Sequence, residues 1–443
     1  MPVINPFKTI FRGDYSDILS GASRSLFVKI AGLACAYLFA FVVARFFGAQ
    51  TWGEFSLALS AILFGSILGT AGLDMAIVKI TASLRDPEDI VSSYKPALLI
   101  VTVLSVIASL LVFILAEWIA GTLFKNPDLT LTFELSSLAV FPLSIINLNA
   151  GTLQGLEKIN RYVFIRFVAR HISALLLLLI FILIWHQNLI VLIAYIIGLY
   201  LITILSFYWL ITDDIHPFKS GRRRMNRYDF SRLFKLSMPL LLAGSLVFWN
   251  SWIDTIMVGA FLTEQDVGIY NISLKLSGLL LLFWTSVNVV VTPKFSELYS
   301  QNKIQELRKV IRYSSSVIFF CTLPLFLILV LFPDFILSIF GNEFVSGKNA
   351  LIILSIGNLA GAWAGSEGYF MQMTDSQIAF QNITLASSVL SFLLNYILIP
   401  AYGIEGAAIA TCISIIFWKW SGVFYIKYRY DVMTAYVPFW GKN

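Results

Sequence analysis

Residues 212–235 read TDDIHPFKSGRRRMNRYDFSRLFK, and their reading decides how the chain divides. Seven of them are basic: Lys219, Arg222, Arg223, Arg224, Arg227, Arg232 and Lys235. No other break is as long or as charged, and both flanks are almost entirely apolar. A basic block suits nucleic acid or anionic lipid, but between apolar flanks it reads as a solvated loop on the cytoplasmic face of a membrane protein. Nucleic acid is therefore not an expected partner. The expected organisation is an N-terminal half, 1–211, a linker, 212–235, and a C-terminal half, 236–443.

Composition supports this reading. Hydrophobic residues make up 58% of the 443 residues and charged residues 13%, with a mean hydropathy of +0.82. A soluble domain is about 25% charged, so this chain cannot clothe itself in polar side chains. Apolar runs of about 20 residues, long enough to span a bilayer core, recur throughout. They are continuous, not alternating, which excludes a β-barrel. Cys35, Cys321 and Cys412 fall inside such runs and read as small core residues, and His171, His186 and His216 have no ligand spacing. No metal or cofactor is expected. The N-terminal stretch with Phe7, Ile10, Phe11, Ile18 and Leu19 has no cleavable-signal layout and is expected to lie along the inner interface.

Hydropathy places six spans before the linker, at 26–47, 55–78, 94–116, 129–153, 163–185 and 189–211. Six follow it, at 236–262, 268–293, 313–333, 349–370, 380–400 and 404–426. The eleventh is diluted by Gln381, Asn382, Thr384, Ser387, Ser388 and Asn395. With both termini inside, cytoplasmic segments hold 26 of the 31 Lys and Arg, and the outer loops hold only Lys125 and Lys348. Six spans per half make any repeat parallel, with a pseudo-two-fold along the membrane normal. FFGAQTWGEFSLAL (46–59) aligns with FLTEQDVGIYNISL (261–274) at a shift of 215, pairing Gln50 with Gln265, Gly53 with Gly268 and Phe55 with Tyr270. The amphipathic loop 294–312 is expected to lie on the inner surface as a short helix.

Several of these turns resemble a known family. Ala44-Arg45-Phe46-Phe47-Gly48 with Trp52-Gly53-Glu54-Phe55 is similar to the first outer turn of bacterial polysaccharide (Wzx-type, O-antigen) flippases. Asp254-Thr255-Ile256-Met257-Val258-Gly259 with Val267-Gly268-Ile269-Tyr270 resembles the corresponding turn of the second half. Leu153-Gln154-Gly155-Leu156, Phe340-Gly341-Asn342-Glu343-Phe344 and the stretch from Tyr402 through Thr411 resemble the same family, so the likeness runs along nearly the whole chain. It implies an all-α integral membrane fold of twelve helices: two six-helix bundles forming a V around a central cavity, as in multidrug exporters and lipid II flippases. The two additional helices of the lipid II branch are not expected. The implied cargo is an oligosaccharide on undecaprenyl diphosphate, moved across the bacterial cytoplasmic membrane. Membrane lipids surround the protein, and a polysaccharide polymerase and chain-length proteins are the implied partners.

Ionisable groups inside spans cost about 2.5–3.5 kcal/mol each on insertion scales, so they mark partners or a wet path. Arg24, Lys29, Asp74, Arg166, Arg170, Asp254, Lys275, Glu367 and Lys419 are the candidates, and a diphosphate cargo needs fixed positive charge. Asp254 and Lys275 lie at similar depth on neighbouring spans. They are expected to meet, either as a structural ion pair or as a pair that opens to substrate or a coupling ion. Arg24, Arg166 and Arg170 read as an inner flank or a cavity rim, and Lys29 lies deeper. Arg45 and Lys419 are placed to snorkel. Asp74 follows Gly69 and Gly72, where close helix packing competes with a cavity role, and Glu367 reads as an inner gate or an interfacial group. Trp249, Asn250 and Trp252 suit sugar stacking and hydrogen bonding, or packing alone. Gly32 in span one, and Pro239 with Gly244 in span seven, are expected to interrupt the leading helices.

Three functions compete on these residues. A lipid-linked oligosaccharide flippase working by alternating access heads them. With no GxxxxGK[ST] loop it would couple to H⁺, Na⁺ or membrane potential, at a site the sequence leaves open. A multidrug cation exporter calls for more in-span carboxylates than Asp74, Asp254 and Glu367. A polymerase or ligase calls for an outer cluster of Arg, His and carboxylate, which the short outer loops lack.

Overall fold

The structure, a computed structural model, describes residues 16–84, 86–184, 187–213, 215, 227–301 and 303–436. The side chains of 16–27, 29 and 227–232 lie outside that description. The candidates Arg24 and Lys29, the amphipathic stretch before Ser16 and most of the basic linker therefore fall outside the described side chains.

Among the described residues every regular element is helical. Backbone N–H and C=O groups have no water to bond in hydrocarbon, and a helix satisfies them internally. Among the described residues nine helices are long and apolar enough to cross a membrane. A tenth arises if Glu264–Gly278 and Leu281–Ser300, bent by 42°, form one span. The chain is a multi-pass membrane protein.

Glycines mark the sharpest breaks. The run Ser16–Thr70 is two helices, α1 (16–47) and α2 (49–70), meeting at Gly48 with φ +85°. Near the other end, Gln377–Tyr430 is likewise two helices meeting at Gly403, φ +60°. A residue with a β-carbon adopts such angles only at a steric cost. The expected continuous span 55–78 is instead broken at Ala71 and Gly72, and α3 (Leu73–Ser83) restarts the helix. The cause is tertiary: a β-carbon on Gly72 would lie 2.4 Å from Ser237 O and 2.6 Å from Leu241 N. The interruptions expected at Gly32 and at Pro239 with Gly244 are absent, since both helices run through them. A proline forfeits one backbone hydrogen bond, and the rest of the helix holds. Gly32 serves packing: its missing β-carbon would stand 2.6 Å from Phe167 O.

Two compact units divide the chain, Met1–Phe41 with Ala58–Val247, and Val42–Leu57 with Phe248–Asn443. In the first, α4 (Pro87–Trp118) packs along α5 (Thr130–Gly155), which also carries α3 and α7 (Ile190–Thr212). The helix α6 (Ile159–Ile182) packs on α7. Buried polar groups pin these contacts: Tyr94 donates to Asn149 Oδ1, and Asn149 Nδ2 donates to Ser206 Oγ at 2.8 Å.

In the second unit, α8 is the portion of Arg227–Phe261 from 248 onward, α9 is Glu264–Gly278, α10 is Leu281–Ser300 and α11 is Ile304–Leu331. A short α12 (Pro333–Phe340) precedes α13 (Lys348–Ala364), which packs against α9, α11 and the Gln377–Tyr430 run. The expected span 349–370 ends early, at Gly365 (φ +82°), where Ser315 Oγ and Thr434 O leave no room for a β-carbon. A separate α14 (Glu367–Met373) follows, then α15 (377–402) and α16 (404–430). The stretch 294–312 is not a surface helix. Phe295 and Leu298 end α10 buried against Leu307, Ile311, Phe370 and Ile426, so protein and not lipid covers its apolar face.

Segment 42–57 packs on α9 through its glycines. A β-carbon on Gly53 would stand 1.8 Å from Glu264 O, and one on Gly268 1.9 Å from Ala49 O. Ala49 and Glu264 are themselves 215 positions apart, the shift that aligns the two stretches, so the contact is reciprocal. Trp52 Nε1 donates to Asn271 Oδ1 at 3.2 Å and Ala49 N to Glu343 Oε1 at 2.7 Å. Gly53→Val or Gly268→Val should cost about 1–3 kcal/mol by overpacking, read as lower yield and melting temperature of the purified protein. Gly121→Ala and Gly278→Ala, with nothing within 4 Å of the new carbon, should stay within about 0.5 kcal/mol of the parent.

Candidate functional site

The second unit holds a carboxylate that forms no ion pair with any described residue. Asp254 on α8 is 7% exposed, and α15 presents Ser387, Ser391 and Asn395 to this region at four-residue spacing, on one helix face. Ser391 Oγ donates to Asp254 Oδ1 at 3.2 Å, and Asn395 Nδ2 at 2.6 Å. Thr411 Oγ1 of α16 donates to Asp254 Oδ2 at 2.7 Å, and Tyr270 OH lies 3.0 Å from that hydroxyl. Asn395 Oδ1 is buried with no hydrogen-bond donor among the described residues. No Lys or Arg forms an ion pair with Asp254 among them. Burying an unpaired carboxylate is costly, and a proton or a small oxygen-liking cation relieves that cost.

The expected meeting of Asp254 with Lys275 does not occur. Lys275 Nζ lies 5.6 Å from the centroid of the Trp52 ring, in cation–π range. Equal depth on neighbouring spans says nothing about rotation, and α9 turns this lysine toward the 42–57 segment.

Glu367 and Lys419 form the second group. They are 1% and 3% exposed, with Lys419 Nζ 2.9 Å from Glu367 Oε1. The contact is ionic without hydrogen-bond alignment, since neither Glu367 oxygen nor Lys419 Nζ has an aligned partner among the described residues. Lys419 Nζ also lies 3.9 Å from the centroid of Trp284 and 4.4 Å from that of Trp418. Lys419 was expected to snorkel and Glu367 to face a gate or an interface. Both are enclosed instead, because two rings and an opposite charge offer the ammonium a closer refuge than the bilayer surface. The arrangement pins α14 to α16.

The first unit gathers Asp74, Arg166 and Arg170. Arg166 Nη1 donates to Asn147 Oδ1 at 2.7 Å and lies 3.9 Å from Asp74 Oδ2. Asn147 Nδ2 in turn donates to Ser66 Oγ at 3.1 Å. Arg170 Nε is buried with no hydrogen-bond partner among the described residues. Residues Phe164–Ala169 wind as a π-helix within α6, a form that gathers at functional sites.

Of the proposed sugar contacts, Trp249 is 40% exposed and tilts against Phe392 at 5.9 Å, and Asn250 Oδ1 accepts from Ser388 Oγ at 2.8 Å. Trp252 is half-buried. Sequence reading passed over Asn147, Ser391, Thr411 and Trp284 as site residues. The polar face of span eleven was the available signal for Ser391, and nothing local distinguished Trp284.

Removing one partner of a buried ion pair is expected to cost about 3–5 kcal/mol, whereas replacing both by apolar groups of similar volume is near neutral. Lys419→Met should therefore lower the melting temperature sharply. Lys419→Met with Glu367→Met should recover most of it, in thermal unfolding of the detergent-purified protein.

Comparison with known proteins follows the same lines. A family model described as polysaccharide biosynthesis protein matches residues 18–299, and one described as MatE matches 239–397. A probable low-salt glycan biosynthesis flippase, Agl15 of Haloferax volcanii, is 31% identical over 183 residues, 41% of this chain and 39% of that relative. The match thus spans about two fifths of that relative's length. Among solved structures, an inward-facing multidrug resistance MATE family transporter superposes with a TM-score of 0.73 at 15% identity, covering 92% of this chain and 98% of that one. The lipid II flippase MurJ, in an inward closed conformation, gives 0.73 at 15% identity, covering 92% and 87%. At that identity the likeness is one of fold. With more than half of its length matched by the family model, the chain belongs to the polysaccharide biosynthesis protein family.

Proposed function

We propose that this protein is a flippase for lipid-linked glycans, driven by a cation gradient and exposing its cargo path alternately to the two sides of the membrane. Asp254 carries the reading: a carboxylate enclosed in a membrane-crossing region by two hydroxyls and an amide N–H has no cationic partner among the described residues. A group in that state suits reversible loading by H⁺ or Na⁺, with Asn395 Oδ1 as a further oxygen ligand for a metal cation. Family membership and a glycan-flippase relative supply the cargo class.

The finer picture is also part of this proposal. Reading the Gly48 and Gly403 runs as two spans each, and the 42° pair as one, makes twelve spans in two sets of six. Both termini are cytoplasmic in the cell membrane, and the carrier is undecaprenyl diphosphate. Its glycan then passes to a polymerase and chain-length proteins. The named relative is archaeal, so the carrier is the part of this picture that extends furthest. The MatE match over 239–397 favours a multidrug exporter as the second reading.

Deletion of the gene should trap the lipid-linked repeat unit on the cytoplasmic leaflet, measured by its protection from an impermeant glycan-modifying reagent in spheroplasts. The parent gene should restore export. Asp254→Asn should bind cargo yet lose the stimulation by a cation gradient, a coupling of about 5–150-fold in systems of this kind. Stimulation by Na⁺ at fixed pH, against a pH gradient without Na⁺, separates the two cations. Unchanged glycan distribution with hypersensitivity to cationic drugs would favour the exporter.

A further inference from the structure

The segment that follows α16 turns back over the break between α13 and α14. Asp431 takes a left-handed backbone, φ +52°, and its carboxylate pairs with Lys427 and, at 3.3 Å, with Arg308 of α11. Val432 then enters the core where α10, α11, α14 and α16 meet, clustered with Leu298, Ile311, Met371 and Ile426. Ser315 Oγ of α11 donates to Thr434 O. Tyr436 closes the segment against the end of α13: its N–H donates to Trp363 O at 3.1 Å, and Trp363 Nε1 donates to Tyr436 O at 2.6 Å. The Tyr436 ring stacks on Phe319. Residues 431–436 are a strap fastened at both ends, with Val432, Thr434 and Ala435 buried.

Buried polar groups without partners collect around this strap. Ser366 Oγ, Thr434 Oγ1, both Glu367 oxygens and Lys419 Nζ have no aligned hydrogen-bond partner among the described residues. The Glu367–Lys419 pair cancels its own charge, yet its hydrogen bonds are unfilled. Each unfilled group carries a desolvation cost that contact with water removes. A chain of contacts joins the strap to the pair. A β-carbon on Gly365 would stand 2.5 Å from Thr434 O, Trp284 Nε1 donates to Gly365 O at 2.7 Å, and the Trp284 ring covers Lys419 Nζ.

The fastenings also have other partners to turn to. Ser315 Oγ has a second acceptor in its own helix, Ile311 O at 2.9 Å. Trp363 is 42% exposed at the end of α13, where solvent accepts an indole N–H. Apolar burial of Val432 and Ala435 favours a closed strap, and the unpartnered groups favour an open one. Opposed demands of this kind make an element with two arrangements.

We infer that Val432–Tyr436 is a releasable strap: it lies closed over the Gly365 break in this structure, and its release admits water to the Glu367–Lys419 pair. The inference concerns access to that pair and does not rest on any cargo, so it stands or falls apart from the flippase reading.

The test uses the detergent-purified full chain with Cys35, Cys321 and Cys412 replaced by alanine and Ser366→Cys as the probe, since Ser366 is fully buried. Its rate of modification by a hydrophilic maleimide reads how often the strap opens. Trp363→Phe, which removes the indole donor to Tyr436, should speed that modification by about three- to tenfold. Ending the chain after Asp431 should speed it further, and Tyr436→Ala takes the place of the shortened chain if that fails to fold. Glu367→Met with Lys419→Met should slow modification severalfold, because an apolar pair gains nothing from water. A strap that serves packing alone gives no such slowing. Ser355→Cys, equally buried on α13 but remote from the strap, should be modified at the parent's rate in each variant. An unchanged rate at the Ser366 probe in the strap variants, an unchanged rate with both methionines, or equal acceleration at the Ser355 probe would overturn the inference.

Discussion

A charge placed inside hydrocarbon has to be neutralised, paired or wetted, and the described charged residues of this protein answer that demand in different ways. Asp254 is surrounded by hydroxyl and amide groups that hold a carboxylate without cancelling its charge. Lys419 and Glu367 cancel one another inside an aromatic enclosure. Arg166 stands 3.9 Å from Asp74, and Arg170 Nε is buried with no hydrogen-bond partner among the described residues. Only the second arrangement is complete in itself. The other two leave buried polar groups whose charge the described side chains do not fully answer.

Glycine governs how closely the helices come together, and through that where the charges end up. The break at Gly72 admits the Ser237–Leu241 backbone and puts Asp74 in a helix's first turn. Gly151 lets α5 approach Asp74 O, where a β-carbon would be only 2.2 Å away. In the second unit, the reciprocal Gly53 and Gly268 contact brings Trp52 within reach of Asn271 and Lys275. An alanine at any of these crossings would push two backbones apart by an ångström or more, and the polar contacts beside them would open.

The repeat shows how far such features can be followed from residues alone. The two stretches related by a shift of 215 were legible as similar turns, and their glycines and aromatics were the matching positions. Their mutual contact was not legible, because similarity between two segments carries no information about whether they touch. In the same way, Ser387, Ser388 and Asn395 stood out as polar residues diluting an apolar run. That Asn395 meets Asp254 while Ser388 meets Asn250, four residues earlier on the same run, depends on how α15 is rotated against that run, and rotation is set by packing along the entire helix.

What the sequence determined by itself was the solvent and the periodic order: long apolar runs demand a bilayer, helices follow from the backbone's need for partners there, and charged breaks separate them. It also marked which ionisable residues would be expensive, since cost depends on residue type and depth. Only the tertiary structure decided their partners. Lys275 turned to an indole instead of Asp254, Lys419 found Glu367 instead of the surface, and Arg170 came to rest halfway along its span. Depth is a one-dimensional quantity that a chain encodes residue by residue. Partnership depends on helix rotation and crossing, which arise from contacts between segments up to hundreds of residues apart.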